Sequence, residues 1–178
     1  MKKLTLMAVL ALLSTAALAQ KYMTRSGQVS FFSATPVESI EAFNNETAAA
    51  VDAASNEVVF QVPIKSFKFD KQLMQEHFNE SYLESDKYPK AIFKGHADKV
   101  PAGKDGAYPV TVKGQLTIHG QTQEVSVPGT ITLKGNEMVL AATFRVKPED
   151  YKIKIPAMAA SKVARVIDVT VNSLLKKM

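Results

Sequence analysis

From Gln28 onward, most of the chain alternates apolar and polar residues with a period of two, and one stretch of helical spacing interrupts the pattern. A period of two commits a segment to an extended strand with one buried face, because successive side chains leave opposite sides of the backbone. The clearest case is Glu57 to Lys65, where Val58, Phe60, Val62 and Ile64 share one face while Gln61 and Lys65 lie on the other. Val110 to Ile118 repeats the pattern with Val110, Val112, Gly114, Leu116 and Ile118 inward, and Glu124 to Leu133 does so with Val125, Val127, Gly129, Ile131 and Leu133. His119-Gly120-Gln121 and Gly135-Asn136 read as tight hairpin turns between such strands.

Further strands are expected at Gln28 to Ser33, Val37 to Phe43, Thr47 to Val51, Ala91 to Ala97, Met138 to Val146 and Val163 to Leu174. Asn44-Asn45 reads as a turn between the second and third of all these strands. Eight or nine short strands at this spacing fit a sandwich or an up-and-down barrel. The tight hairpins and the apolar inward faces favour closure, which removes the exposed edges.

The interruption runs from Phe67 to Gly95. Lys71 to Ser81 reads as a helix that puts Leu73, Met74, His77 and Phe78 on one face, and Tyr88-Pro89 returns the chain to extended geometry before the strand at Ala91.

The start of the chain has a different character. Lys2 and Lys3 precede an apolar run from Leu4 to Leu13, and Ala17-Leu18-Ala19 places small residues where a signal peptidase cuts. Residues 1–19 are therefore expected to be a cleaved secretory leader and 20–178 a single exported domain. Taking 19 residues from 178 leaves 159, enough for one core without staples. No other run is apolar and long enough to span a membrane as a helix. The chain has no cysteine, so its stability must come from packing. Without Lys2 and Lys3 the formal charge falls from +5 to +3, spread along the chain. No basic stripe with interleaved aromatics points to nucleic acid.

No catalytic constellation stands out, and no cofactor is implied. There is no cysteine nucleophile, Gly-x-Ser-x-Gly elbow, P-loop or dinucleotide fingerprint. His77, His96 and His119 lack metal-ligand spacing and would need to converge in space to hold an ion. An enzyme is the weaker class, and a barrel interior that holds a ligand is one reading of the apolar faces. The inward set includes Phe31, Phe60, Val62, Leu116, Ile131, Phe144 and Ile167, with Met74 and Phe78 supplied by the helical stretch. Arg165 falls in phase with Ile167, Val169 and Val171, so simple alternation points it inward at a strand end, where it could meet an anionic head group. If the strand begins later, Arg165 faces solvent. The same apolar residues would line a ligand cavity or fill a solid core, and alternation does not separate the two.

Two blocks carry a family resemblance. The run Phe78-Asn79-Glu80-Ser81-Tyr82-Leu83-Glu84-Ser85-Asp86-Lys87-Tyr88-Pro89-Lys90-Ala91-Ile92-Phe93 resembles the central motif of the YceI-like family, and Gly114-Gln115-Leu116-Thr117-Ile118-His119-Gly120-Gln121-Thr122 resembles its Gly-x-Leu-Thr-x-His-Gly-x-Thr hairpin. The resemblance implies an all-β fold, an extended antiparallel eight-stranded lipocalin-like β-barrel with one short helical insertion. It also implies a periplasmic location and an isoprenoid or other long-chain lipid as partner, with the tail inside the barrel, and no catalytic residues to carry over. A solidly packed envelope domain without a ligand is the alternative, and a homodimer is left open.

Overall fold

A computed structural model of the chain describes residues 20–101 and 103–178. The expected leader, residues 1–19, lies outside them. Nine strands form among the described residues, joined mainly by hairpins: β1 Lys21–Ala34, β2 Ser39–Asp52, β3 Glu57–Pro63, β4 Lys68–Phe69, β5 Lys90–Ala97, β6 Gly106–Ile118, β7 Gln121–Lys134, β8 Glu137–Val146 and β9 Ile167–Lys177. Eight of them close into an antiparallel barrel in the order β1-β9-β8-β7-β6-β5-β3-β2, with β2 returning to β1. The two-residue β4 pairs only with β2, as a flap beside the wall.

The inward faces read in Glu57 to Lys65, Val110 to Ile118 and Glu124 to Leu133 hold in the barrel, but several boundaries move. Gly27, one residue before the expected start of the first strand at Gln28, lies within β1. It sits inside a longer strand where the β1–β2 register shifts, and a Cβ there would stand 2.7 Å from Ser173 Oγ. The glycine thus marks a bulge rather than a strand end. Asn44-Asn45 is likewise no turn, since β2 runs straight through it. Asn44 is fully buried at the same register shift, where its Nδ2 donates to the Pro63 carbonyl (2.8 Å) and its Oδ1 accepts from the Glu46 N–H (2.9 Å). The Asx hydrogen bonding that marks a turn in sequence here satisfies a bulge. Finally, β3 ends at Pro63 in a 3₁₀ turn, Ile64–Ser66, and β9 starts at Ile167 rather than Val163.

The two ends of the barrel differ. At one end the connections are short, and Tyr22, Val51, Val58, Ile131, Leu133, Met138 and Leu175 belong to a closed core. At the other end lie the β1–β2 turn, the crossing segment from β3 to β5, the β6–β7 turn and the long β8–β9 connection. The crossing segment carries helix α1, Gln72–His77, which widens into a π-helical turn over Phe78–Tyr82. No helix among the described residues is long and apolar enough to cross a membrane.

Candidate ligand-binding site

Between the packed end and the loop-bearing end, the barrel encloses a cavity of about 790 Å³. Its wall comes from inward positions of the strands, among them Val29, Phe31, Phe60, Val62, Phe93, Val112, Leu116, Val127, Ile131, Leu140, Phe144 and Val169. The ionisable residues that border it are Glu38, Lys71, His77, Tyr82 and Lys162, and all belong to connections at the loop-bearing end. The arrangement is an apolar interior with a charged mouth. It is concave and within the usual 300–1,000 Å³ range of small-molecule sites.

Of the residues expected from sequence, Phe31, Phe60, Val62, Met74, Phe78, Leu116, Ile131, Phe144 and Ile167 all border this cavity. Arg165 does not. It precedes β9 and is exposed, because Lys162 and Val163 turn back onto the Ala159 carbonyl (2.9 and 3.1 Å) and the Ala164 N–H donates to Ser33 Oγ (2.9 Å). Those bonds hold residues 162–164 in a turn, so alternation does not yet apply at Arg165. Leu73 also departs from its expected place: it is 61% exposed at the rim, while Met74 and Phe78 on the same helical segment are half-buried. Sequence reasoning missed the contribution of the β8–β9 connection, which brings Ile153, Ile155, Met158 and Val163 to the opening. Pro148 and Pro156 flank the apolar alternation of Ile153 and Ile155 and hide it in the sequence.

The crossing segment is held over the barrel by two anchors. The first is aromatic. Phe78 stacks on Phe31 of β1 (ring centroids 5.4 Å apart, planes at 23°) and meets Phe69 at 5.0 Å and Phe67 at 5.5 Å. Each such aromatic pair adds roughly 0.5–1.5 kcal/mol beyond area burial. The second anchor is polar. His119 in the β6–β7 turn faces Glu84 Oε2 through Nε2 (2.6 Å) and the Tyr151 carbonyl through Nδ1 (3.2 Å). The Tyr88 ring lies edge-on to the imidazole, 4.6 Å between centroids. Gly120, at φ +70°, has room for no side chain, since a Cβ would stand 2.6 Å from the Tyr88 ring. Tyr151 is buried beneath this junction, and that burial, reinforced by the neighbouring Asp150 charge, pushes its phenol up to about 12.

Two ion pairs add to these anchors: Lys71 Nζ with Glu38 Oε1 (3.1 Å), and Lys65 with Asp86. Among the described residues no three His, Cys, Asp or Glu side chains group as metal ligands. His96 pairs with Glu57 and Lys113 at the packed end, so the three histidines do not converge.

Known proteins place this arrangement. The family model for the YceI-like domain matches residues 18–174. Among solved structures, the chain is similar to a polyisoprenoid binding domain from Saccharophagus degradans implicated in plant cell wall breakdown (TM-score 0.74, 12% identity, covering 90% of this chain and 99% of that one). It is similar to BcnA of Burkholderia cenocepacia (TM-score 0.70, 19% identity, 83% and 95% covered) and to the Campylobacter jejuni YCEI protein (TM-score 0.55, 16% identity, 74% and 80% covered). No curated protein sequence matches. The likeness to these structures is one of fold, while the family match spans nearly the whole chain, and on that match the chain belongs to the YceI-like domain family.

Proposed function

We propose that this protein is a binding protein, not an enzyme: a carrier that holds the tail of an isoprenoid or fatty-acyl lipid inside its barrel. The observation that carries the reading is the cavity itself, apolar within and charged only at its mouth. A long tail would lie against Phe60, Val62, Leu116, Ile131 and Phe144, and a polar head would remain near Glu38, Lys71 and His77. A cavity of this size speaks against the alternative of a solidly filled barrel. The binding domain from Saccharophagus degradans adds support through its shared fold.

The energetics are adequate. Each buried methylene contributes roughly 0.8 kcal/mol, so about ten to fifteen carbons supply on the order of 8–12 kcal/mol. Association and ordering costs remove a good part of that, leaving affinities around micromolar. The basic n-region and the Ala17-Leu18-Ala19 site support export to the periplasm, with residues 20–178 as the working domain.

Organic extraction of the purified protein followed by mass spectrometry is the deciding test, paired with uptake of a fluorescent long-chain probe. A co-purifying lipid or saturable uptake is expected. Absence of both would sink the carrier reading.

A further inference from the structure

The β8–β9 connection does more than complete the cavity wall. Between Lys152 and Val166 it holds four basic residues, Lys152, Lys154, Lys162 and Arg165, and no acidic one. All four are exposed, whereas Ile153, Ile155 and Val163 are half-buried along the cavity. At the crest, Pro156 to Met158 are exposed without exception, and Met158 is 93% exposed while bordering the opening. Across that opening Leu73 is likewise exposed, and Val37 projects from the β1–β2 turn.

A lone exposed apolar residue on a protein surface needs no account. Three of them on the connections around one apolar opening, beside a run of cations whose acidic neighbours within the connection are Glu149 and Asp150 at its start, are a different matter. Lys71 on the helical side is already paired with Glu38, whereas the β8–β9 connection keeps a net positive excess even after Glu149 and Asp150 are counted, all of it from Lys152 onward. Apolar tips that enter the head-group boundary and cations that meet anionic head groups are what hold a protein at a membrane surface.

We propose that the rim of the cavity, centred on Lys152 to Val166, is a docking surface for an anionic lipid bilayer. Met158 enters the head-group region, and Lys152, Lys154, Lys162 and Arg165 lie against phosphate. Docked in this way, the cavity opens onto the membrane, and an apolar tail passes between them without crossing water. The proposal rests on the carrier reading for its purpose, but it is tested without the carried ligand.

The chain contains no tryptophan, so Met158→Trp installs a single fluorescent reporter at the crest. With vesicles of phosphatidylglycerol and phosphatidylethanolamine its emission should shift to the blue, and with phosphatidylcholine alone it should not. Lys134→Trp, exposed at the packed end, should report no shift with either. Added salt should weaken binding. Neutralising Lys154 and Lys162 to Gln should lower vesicle affinity about fivefold for each cation lost. Unlabelled protein should co-sediment with the anionic vesicles, and Met158→Glu should not.

Equal binding to both lipid compositions, a shift at Lys134→Trp, or no binding to either vesicle would overturn the proposal. So would self-association that covers Met158 while vesicles have no effect. Protein that yields extracted lipid yet ignores vesicles removes the docking surface and leaves the carrier reading. Protein that binds anionic vesicles yet yields no lipid and takes up no probe does the reverse.

Discussion

The His119 imidazole and the Glu84 carboxylate stand 2.6 Å apart, joining the β6–β7 turn to the segment that crosses the barrel mouth. The other imidazole nitrogen faces the Tyr151 carbonyl, which can only accept, so Nδ1 donates there. One ring thus fastens three separate connections at the same end of the barrel. Glu84 and Tyr88 come from the sequence block Phe78 to Phe93, and His119 and Gly120 come from the block Gly114 to Thr122. Their shared role is to clamp the mouth.

Cutting the clamp should loosen the mouth before the barrel. Glu84→Gln or His119→Ala should cost about 1 kcal/mol, since Glu84 is half exposed and water compensates part of the lost bond. Hydrogen exchange read residue by residue should show faster opening over residues 72–88 and unchanged protection in β7 and β8. Uniformly faster exchange throughout the barrel would contradict a local clamp.

Gly114 leads to a second expectation. It faces Gly95 across β5 and β6, and a Cβ built on it would run into the Lys94 carbonyl and the Gly95 Cα. On Gly95, the added carbon would come within 2.9 Å of the Gly114 Cα. The wall is pinched here by two missing side chains. Gly114→Ala should cost roughly 1–3 kcal/mol as an overpacking change, measured by urea denaturation. Gly135→Ala makes a useful contrast: its added carbon meets nothing within 4 Å, but its φ of +58° strains any L residue. Its penalty is therefore one of backbone conformation and not of packing.

These glycines show how far the chain could be read in advance. Alternation exposed the inward faces of β3, β6 and β7 because one wrong register would have turned every apolar residue to water. It failed where local chemistry imitates a boundary. Gly27 and Asn44 both punctuate a sequence, yet here they serve register shifts inside two of the longest strands. For Arg165 the later strand start holds and the inward reading fails, because its phase with Ile167 extends into residues that hydrogen bonds hold in a turn. The cavity was not legible at all, since Leu116 or Ile131 would have the same spacing in a filled core. Its existence depends on how far opposite walls stand apart, a property of closure and not of any one segment.

Tyr151 supplies a prediction in pH. Its phenol is raised from 10 to about 12 because burial disfavours the phenolate. Above pH 10 the unfolded chain therefore gives up this proton while the folded chain still keeps it, so ionisation favours unfolding. The contribution is complete below pH 10 and is lost as pH climbs toward 12, a change of about 2–3 kcal/mol over that interval. Alkaline unfolding midpoints of the protein and of Tyr151→Phe should differ accordingly, with the variant losing less stability between pH 10 and 12. Parallel curves for the two proteins would remove Tyr151 as a source of alkaline sensitivity.

The contrast between the two barrel ends yields the last prediction. Met138 and Leu175 are fully buried in the closed core, where neighbours contact them on all sides. Truncating either to Ala removes apolar contacts and leaves a void, at a cost of about 2–5 kcal/mol. Phe144 is only half-buried, and it borders a space that is already open. Phe144→Ala enlarges that space without emptying a filled site, so the cavity component of the penalty is largely absent and the cost should fall below that of Met138→Ala. Affinity for a long-chain probe should respond in the opposite order, weakened at Phe144 and nearly unchanged at Met138. Measuring both quantities for both variants separates wall from core: a filled barrel would make Phe144→Ala as destabilising as Met138→Ala and leave no probe binding to lose.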